Sequence, residues 1–125
     1  MTSPAAIVLI AHGSPDPDWM RPVVALAERL RARAPGRDVA VATLEHGPAL
    51  ADILDDLAAR GHARVSVVPV FLSGGGRHMK RDIPELVARL QRERPDLEVT
   101  LAGDALGTDP LVIDALAAAA LARVG

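Results

Sequence analysis

The sequence predicts a single α/β domain over residues 1–125, with a four-stranded parallel sheet, helices on both faces and the element order βαβαβαβα. Short runs of aliphatic and β-branched residues alternate with segments of helical period, which is the pattern of successive βαβ units. A chain of 125 residues can build one hydrophobic core and requires no second domain. Half of its residues are hydrophobic, but Trp19 and Phe71 are the only aromatic ones, so the core must be aliphatic.

The chain begins with two strand patterns and one helix pattern between them. The run AAIVLIA, residues 5–11, is apolar and β-branched, which predicts the first strand. Apolar residues then recur at helical spacing from Val23 to Leu30, which predicts the first helix. The run DVAVATL, residues 38–44, predicts the second strand and completes a first βαβ unit.

The next helix and strand continue this alternation. Helical spacing returns from Leu50 to Leu57, and the run RVSVVPVF, residues 64–71, predicts the third strand. Pro69 lies inside this run, and proline lacks the N–H group that a central strand donates. We therefore predict that the third strand lies at an edge of the sheet or has a local bulge at Pro69.

The last two helices are predicted together with their N-terminal caps. The third helix covers the apolar positions from Ile83 to Leu90, and Asp82 and Glu85 predict a capping-box start. The run LEVTLAG, residues 97–103, predicts the fourth strand. The fourth helix follows the N-cap Asp109, is almost uniformly apolar, and is expected to close the domain.

The charge and composition argue against several classes of partner. The 14 basic and 16 acidic side chains give a net charge of −2, so no overall field favours nucleic acid or an anionic membrane surface. The absence of cysteine excludes disulfides and thiolate metal sites and is compatible with a reducing cytosol. The N-terminal segment lacks the features of a signal peptide, and no apolar run approaches the ~20 residues of a membrane span. We predict a cytoplasmic protein.

Three of the four histidines follow predicted strands. His12, His46 and His78 come after the first, second and third strands, and Glu45 ends the second strand. Ligands of open parallel sheets bind outside the carboxyl ends of the strands, so these residues are expected to share one functional edge. His62 precedes the third strand, at the opposite end of the sheet, and is expected to face solvent.

His12 and His78 are the main candidates for chemistry at this edge. A neutral imidazole can bind a divalent metal or accept a proton near neutral pH, and Gly13 lets the chain turn sharply after His12. A strand-end histidine can also simply bond to a nearby carbonyl group, and His78 can be an exposed loop residue. Glu45 can likewise pair with an arginine or cap the following helix. The residues alone leave these alternatives open.

A glycine-rich and cationic segment, LSGGGRHMKR, follows the third strand and includes Arg77, Lys80 and Arg81. It is not a phosphate-binding P-loop, because the spacing G-x-x-x-x-G-K-[ST] is absent. Cations at the start of a helix oppose the helix dipole, which favours acidic groups there. An anionic ligand is therefore expected to compensate these cations.

Two motifs carry a family resemblance: AHGS after the first strand, and VPVFLSGGGRHMKRDIP at the end of the third. They resemble those of short CbiX-type sirohydrochlorin cobaltochelatases, which are class II tetrapyrrole chelatases. The resemblance extends over nearly the whole chain in the order of its elements. The chain departs from the pattern at Pro15, where relatives commonly have arginine, and in a glycine loop one residue longer than in some short members. These departures concern substrate contact.

The resemblance implies ATP-independent insertion of a divalent metal, Co²⁺ in the cobalamin route, into sirohydrochlorin or a close precursor. The metal is a substrate, with Ni²⁺ and Fe²⁺ as alternatives, and no organic cofactor is implied. By position, His12 binds metal and accepts protons, His78 is the second metal-binding histidine, and Glu45 is a candidate third ligand. The residues expected to contact the macrocycle are Leu72, Ser73, Gly74, Gly75, Gly76, Arg77, Lys80 and Arg81.

Two other functions are compatible with part of this pattern. A phosphoryl-carrier domain of the mannose-transporter IIA type is also a small α/β domain with a histidine after its first strand. It needs an aspartate to orient that histidine, and it gives no reason for His78 and the cations beside it. A non-catalytic metal-binding or metal-delivery protein would carry the same ligands, and only turnover separates it from a chelatase.

A homodimer is expected on two grounds. A chelatase must enclose a macrocycle, and larger relatives use two similar halves where this chain supplies one. The nearly all-apolar last helix also has more hydrophobic surface than one face of the sheet can hide.

Overall fold

The computed structural model describes residues 4–125. The first three residues, on which the prediction of no signal peptide partly depends, lie outside the described residues. The strands are β1 (Ala6–Ala11), β2 (Val39–Thr43), β3 (Arg64–Pro69) and β4 (Glu98–Leu101). The helices are α1 (Pro17–Arg33), α2 (Leu50–Ala59), α3 (Ile83–Glu93) and α4 (Pro110–Val124). Each strand ends within two residues of its predicted bounds.

The four strands form one parallel sheet in the order β2-β1-β3-β4. Leu9 of β1 lies between Val41 of β2 and Val68 of β3. Because all strands run in the same direction, their carboxyl ends and the loops that follow them meet at one edge. The predicted fold class, an α/β sheet with helices on both faces, is confirmed.

One face of the sheet carries the larger core. Helices α2 and α3 cover this face, where Val8, Ile10 and Val67 are fully buried. Leu54 of α2 and Ile83 of α3 are also fully buried in this cluster, and each such side chain contributes roughly 1.5–3 kcal/mol. Helix α1 covers part of the opposite face with a smaller aliphatic cluster.

Strand β3 lies between β1 and β4, so the edge position and the bulge predicted from Pro69 are wrong. The register of β3 with β1 is continuous up to Pro69, whereas its pairing with β4 ends at Val67 and Leu101. The N–H of Val70 donates to the carbonyl of Ile10, so the nitrogen of Pro69 faces the β4 side, beyond the last pair. Proline is tolerated there because no ladder hydrogen bond is lost.

Helix α3 does not begin with the predicted capping box. Asp82 has helical backbone angles (φ −63°, ψ −46°), whereas an N-cap residue is extended. A π-helical turn, His78–Asp82, runs directly into α3, and the Asp82 carboxylate accepts a hydrogen bond from the His78 ring. Single π turns are frequent at functional sites because they widen the helix locally and redirect side chains.

Helix α4 begins as predicted but does not close the domain. Asp109 accepts a hydrogen bond at 2.9 Å from the N–H of Leu111, which confirms the predicted N-cap. In α4, whose residues are all described, no side chain is buried. Its main contacts are with the short 3₁₀ turn Leu106–Thr108 that precedes it. The prediction that this helix closes the domain is therefore wrong for the single chain.

Candidate functional site

The loops after β1 and β2 are joined by backbone hydrogen bonds at the carboxyl edge of the sheet. The N–H of Glu45 donates to the carbonyl of His12 at 2.9 Å. Gly13 has a φ of +91°, and a Cβ at this position would lie 1.9 Å from the Glu45 carbonyl oxygen. Only glycine fits this conformation and this close approach. The two loops can therefore hold His12 and Glu45 side by side.

The His12 ring is oriented by the carbonyl that follows it. Its Nδ1 lies 3.0 Å from the carbonyl oxygen of Gly13. A carbonyl oxygen only accepts, so Nδ1 carries the proton and the neutral ring keeps a lone pair on Nε2. The side chain is 35 % exposed, so the ring is only partly buried. The hydrogen bond to a carbonyl group that is expected for an inert strand-end histidine is thus present. The same bond leaves Nε2 unprotonated, so that it can act as a ligand or base.

The His78 ring is oriented in the same way by a carboxylate. Its Nδ1–H donates to Asp82 Oδ2 at 3.0 Å across the π-helical turn, which again leaves a lone pair on Nε2. The rings of His12 and His78 lie with their centroids 5.0 Å apart and their planes inclined by 56°. Two imidazoles from different loops thus converge at the predicted edge.

Glu45 and His46 lie beside this pair without hydrogen bonding to it. Glu45 Oε2 is 4.0 Å from Nε2 of His12 and 3.8 Å from Nε2 of His46. Both distances are too long for a hydrogen bond but fall within electrostatic reach. Among residues 4–125, no three histidine, aspartate or glutamate side chains converge closely enough to form a ready metal site. The histidine pair is the part of the predicted ligand set that is already assembled.

The glycine loop lies along the same edge. Ser73 Oγ accepts a hydrogen bond at 3.0 Å from the N–H of Gly75, while Leu72 before it is 69 % exposed. A Cβ on Gly74 would lie 2.8 Å from an Asp104 carboxylate oxygen, so the backbone passes close to the end of β4. The loop therefore presents an exposed leucine and bare backbone to solvent beside the histidines.

The three cations that are predicted to face an anionic ligand are exposed. Arg77 precedes the π-helical turn, and Lys80 and Arg81 lie within it. Arg81 Nε is 3.6 Å from Glu85 Oε1, a weak exposed pair that compensates part of this charge. The positive charge that remains faces solvent at the start of the helix, where the helix dipole does not favour it.

His62 lies at the opposite edge, as predicted, but it does not face solvent freely. Its Nε2 lies 2.5 Å from Asp38 Oδ2, and its side chain is only 20 % exposed. This hydrogen bond, assisted by the nearby charge of Arg60, lowers the pKa of the Asp38 carboxyl. The expectation of a solvent-facing histidine is wrong, because the turn before β3 packs against the loop before β2.

Two residues that sequence reasoning did not place in the site contact its histidines. Trp19 of α1 meets His12 edge to face, with ring centroids 6.4 Å apart, and is 46 % exposed. Asp82, which the sequence predicts to be a helix cap, is instead the hydrogen-bond partner of His78. Its spacing of four residues from His78 is the signal that could have identified it.

Comparison with protein families and curated proteins gives one consistent result. The model of the CbiX family matches residues 6–122. The chain is 32 % identical over 117 residues to a sirohydrochlorin cobaltochelatase of Saccharolobus islandicus, covering 88 % of each chain. It is 32 % identical over 89 residues to the sirohydrochlorin cobaltochelatase of Methanococcus aeolicus, covering 70 % of this chain and 62 % of that protein.

Solved structures show the same relationship. A CbiX protein of cobalamin (vitamin B12) biosynthesis from Marinobacter aquaeolei VT8 superposes with a TM-score of 0.79 at 31 % identity, covering 98 % of both chains. The sirohydrochlorin chelatase SirB of Bacillus subtilis subspecies spizizenii, solved in complex with cobalt, superposes with a TM-score of 0.78 at 26 % identity. That match covers 94 % of this chain but only 49 % of the Bacillus chain.

Proposed function

The chain belongs to the CbiX family, and from this premise we propose that it inserts Co²⁺ into sirohydrochlorin or a close tetrapyrrole precursor without ATP. The observation that carries the proposal is the histidine pair. The rings of His12 and His78 lie 5.0 Å apart, and both Nδ1 atoms are already engaged as donors. Both Nε2 lone pairs are therefore free for one metal ion between the two loops.

Two imidazoles suit a metal ion that must be passed on. Imidazole is a borderline ligand of intermediate affinity, whereas thiolates hold soft and borderline ions more tightly. The chain has no cysteine, and we propose that it works in the reducing cytoplasm. Ni²⁺ and Fe²⁺ also accept imidazole ligands, and the names of the curated relatives favour Co²⁺. With His12 and His78 as ligands, further coordination positions stay open for the macrocycle nitrogens.

Insertion exchanges one metal ion for two pyrrole protons, so the site must also accept protons. We assign this role to His12, because its Nε2 lone pair becomes free when the metal passes to the macrocycle. Glu45 Oε2 lies 4.0 Å from that atom and is exposed, so it can stabilise the protonated ring and pass the proton to water. In an earlier step the same carboxylate can reach the metal as a third ligand.

The substrate is a flat ring fringed with carboxylates, and the loop after β3 has matching features. We propose that the exposed Leu72 and the bare backbone from Ser73 to Gly76 lie against the ring. Arg77, Lys80 and Arg81 then face its carboxylates. The helix dipole disfavours cations at a helix start, so their position there predicts an anionic ligand. The substrate carboxylates are that ligand.

Replacing all three cations by alanine is expected to raise KM for sirohydrochlorin while leaving kcat nearly unchanged. Exposed ion pairs contribute only ~0.2–1 kcal/mol each, so each single change should raise KM a few-fold and added salt should imitate the triple variant. Steady-state kinetics at low and high ionic strength measure this. Arg29→Ala, which removes an exposed cation of α1, is the control. A triple variant with wild-type KM at low salt would show that this turn does not bind the substrate carboxylates.

Replacing Asp82 by asparagine is expected to weaken Co²⁺ binding ~10- to 100-fold, the usual cost of losing a carboxylate behind a ligating histidine. The amide can still accept the proton of His78 Nδ1 but carries no charge, so the ring becomes a poorer ligand. Titration of Co²⁺ binding measures the effect directly, and excess Co²⁺ should restore most of kcat. Asp56→Asn, which removes a carboxylate paired with Arg60, should bind Co²⁺ normally. Unchanged Co²⁺ affinity in Asp82→Asn would refute the positioning role.

A second copy of the chain is proposed to complete the site. The chain matches about half of the Bacillus chelatase, which supplies two such lengths in one polypeptide. The histidine pair also lies at an open edge, with Trp19 and Leu72 exposed beside it. We propose a homodimer in which two such edges enclose one macrocycle.

The proposed activity is tested by anaerobic incubation of the protein with sirohydrochlorin and Co²⁺, Ni²⁺ or Fe²⁺ while the absorption spectrum is followed. Acceleration over the protein-free rate, with Co²⁺ at least, is the expected result. His62→Ala should behave as wild type, because that histidine lies at the opposite edge. A phosphoryl carrier would instead take label from a phosphohistidine donor at His12 and would tolerate loss of His78.

A further inference from the structure

Trp19 is a large aromatic residue in an exposed position. It lies in the first turn of α1 and is 46 % exposed. It is the only tryptophan of the chain, and Phe71 is the only other residue with a large aromatic side chain. A single exposed apolar side chain needs no explanation by itself, so the surroundings of Trp19 decide whether it has a role.

The neighbours of Trp19 place it at the border of the histidine pair. The centroid of its ring lies 6.4 Å from that of His12, and the centroid of the His12 ring lies 5.0 Å from that of His78. His12 therefore contacts both of the other rings. Because the two histidines are the proposed metal ligands, the indole ring lies next to the point at which a macrocycle would receive its metal ion.

A capped helix start fixes the backbone between His12 and Trp19. The N–H of Asp16 donates to Ser14 Oγ at 3.1 Å, and Asp16 Oδ1 accepts a hydrogen bond at 2.9 Å from the N–H of Asp18. The N–H of Trp19 donates to the carbonyl of Asp16 at 3.1 Å. These hydrogen bonds satisfy donors that a helix start otherwise leaves without a partner. They also fix the position of the indole relative to the His12 loop.

The inclination of the two rings suits a flat ligand. An imidazole binds a metal ion along the Nε2 lone pair, which lies in the plane of the imidazole ring. A macrocycle centred on that metal ion therefore stands roughly perpendicular to the His12 ring. The indole plane is inclined by 65° to the His12 ring, which is nearer to perpendicular than to parallel. At this inclination the indole can lie nearly parallel to the macrocycle, which is the arrangement that offset stacking requires.

The charges beside the histidine pair differ between its two sides. The loop after β1 and the first turn of α1 carry Asp16 and Asp18 but no lysine or arginine. Arg21, the next cation along α1, is paired with Asp18 at 2.8 Å. The three cations proposed to face the substrate lie instead at the π-helical turn. The substrate carboxylates are thus attracted to the π-helical turn and repelled from the α1 side, where an apolar ring surface fits.

We propose that Trp19 binds the organic substrate: one pyrrole ring of the metal-free macrocycle stacks on the exposed part of the indole, beside His12. This inference rests on the chelatase function proposed above and adds a residue that holds the macrocycle and not the metal. The indole Nε1–H is a donor only, so Trp19 cannot be a metal ligand. Its contribution can therefore be measured separately from that of the two histidines.

The stacking contact is tested by anaerobic spectral titration of metal-free sirohydrochlorin into the protein, with no metal present. Trp19→Ala is expected to weaken binding ~10-fold, the usual effect of removing one stacked aromatic side chain, and to raise KM by a similar factor. Trp19→Phe keeps an aromatic face and should recover most of the affinity. Both variants should bind Co²⁺ with wild-type affinity. The control is Val24→Ala, which changes a 47 % exposed residue on the other side of α1 and should bind both substrates normally.

The two affinities separate the possible outcomes. Unchanged sirohydrochlorin affinity in a folded Trp19→Ala protein would overturn the inference, and weaker Co²⁺ binding in that protein would then show that Trp19 only supports His12. A wild-type protein that binds sirohydrochlorin through Trp19 but does not accelerate metal insertion would overturn the proposed activity and leave the contact standing. A wild-type protein that binds no sirohydrochlorin would overturn both.

Discussion

Replacing His12 by alanine is expected to abolish nearly all metal insertion. Its Nε2 is assigned two consecutive roles, as a metal ligand and then as the acceptor of pyrrole protons. Loss of a general base alone costs ~10²- to 10⁴-fold in rate, and the position of the metal is lost in addition. The initial rate of Co²⁺ insertion into sirohydrochlorin measures the effect. Saturating Co²⁺ should not restore the rate, because the proton acceptor is missing at any metal concentration.

His62→Ala is the matched control for this change, since it also removes an imidazole, but at the opposite edge of the sheet. It removes the hydrogen bond to Asp38 and so costs some stability, but the insertion rate of the folded protein should be that of wild type. A His12→Ala protein that is folded by circular dichroism and retains more than a tenth of the wild-type rate would show that His12 has neither role.

Replacing His78 by alanine is expected to have the second-largest effect, mainly through metal affinity. Co²⁺ binding should weaken by more than the ~10- to 100-fold that loss of an outer partner such as Asp82 costs, because the ligand itself is removed. Visible absorption of bound Co²⁺, titrated anaerobically, measures the affinity. Unlike His12→Ala, this variant should recover part of its rate at high Co²⁺. Full activity of His78→Ala at low Co²⁺ would remove this residue from the site.

The elements and the shared edge were predictable because they depend on local pattern and on a general property of parallel sheets. Alternating apolar runs and helical periods place β1 to β4, and the parallel order brings His12 and His78 to one edge without any distance being known. Gly13 was predicted to allow a sharp turn. Its close approach to the Glu45 carbonyl could not be predicted, since that contact depends on how two loops pack.

The misplaced residues are those whose sequence context is compatible with two roles, so that the surrounding structure decides between them. Pro69 is compatible with either an edge strand or the end of a central one, and the length of β4 decides between them. Asp82 can cap a helix or bond to His78, and the π-helical turn decides by giving Asp82 helical angles. For α4, the sequence shows that the helix needs burial but does not say which surface provides it.

Multiple-turnover insertion is the direct test of whether the protein is a catalytic chelatase. Sirohydrochlorin and Co²⁺ are supplied anaerobically in large excess over the wild-type protein, and the metallated product is counted per protein chain. Product in many-fold excess over protein, formed faster than in a protein-free reaction, is the expected result. Product that stops at one equivalent per chain would indicate a metal-delivery protein. A rate equal to that of the protein-free reaction, with Co²⁺ and with Ni²⁺ and Fe²⁺ in its place, would contradict the proposed chelatase activity altogether.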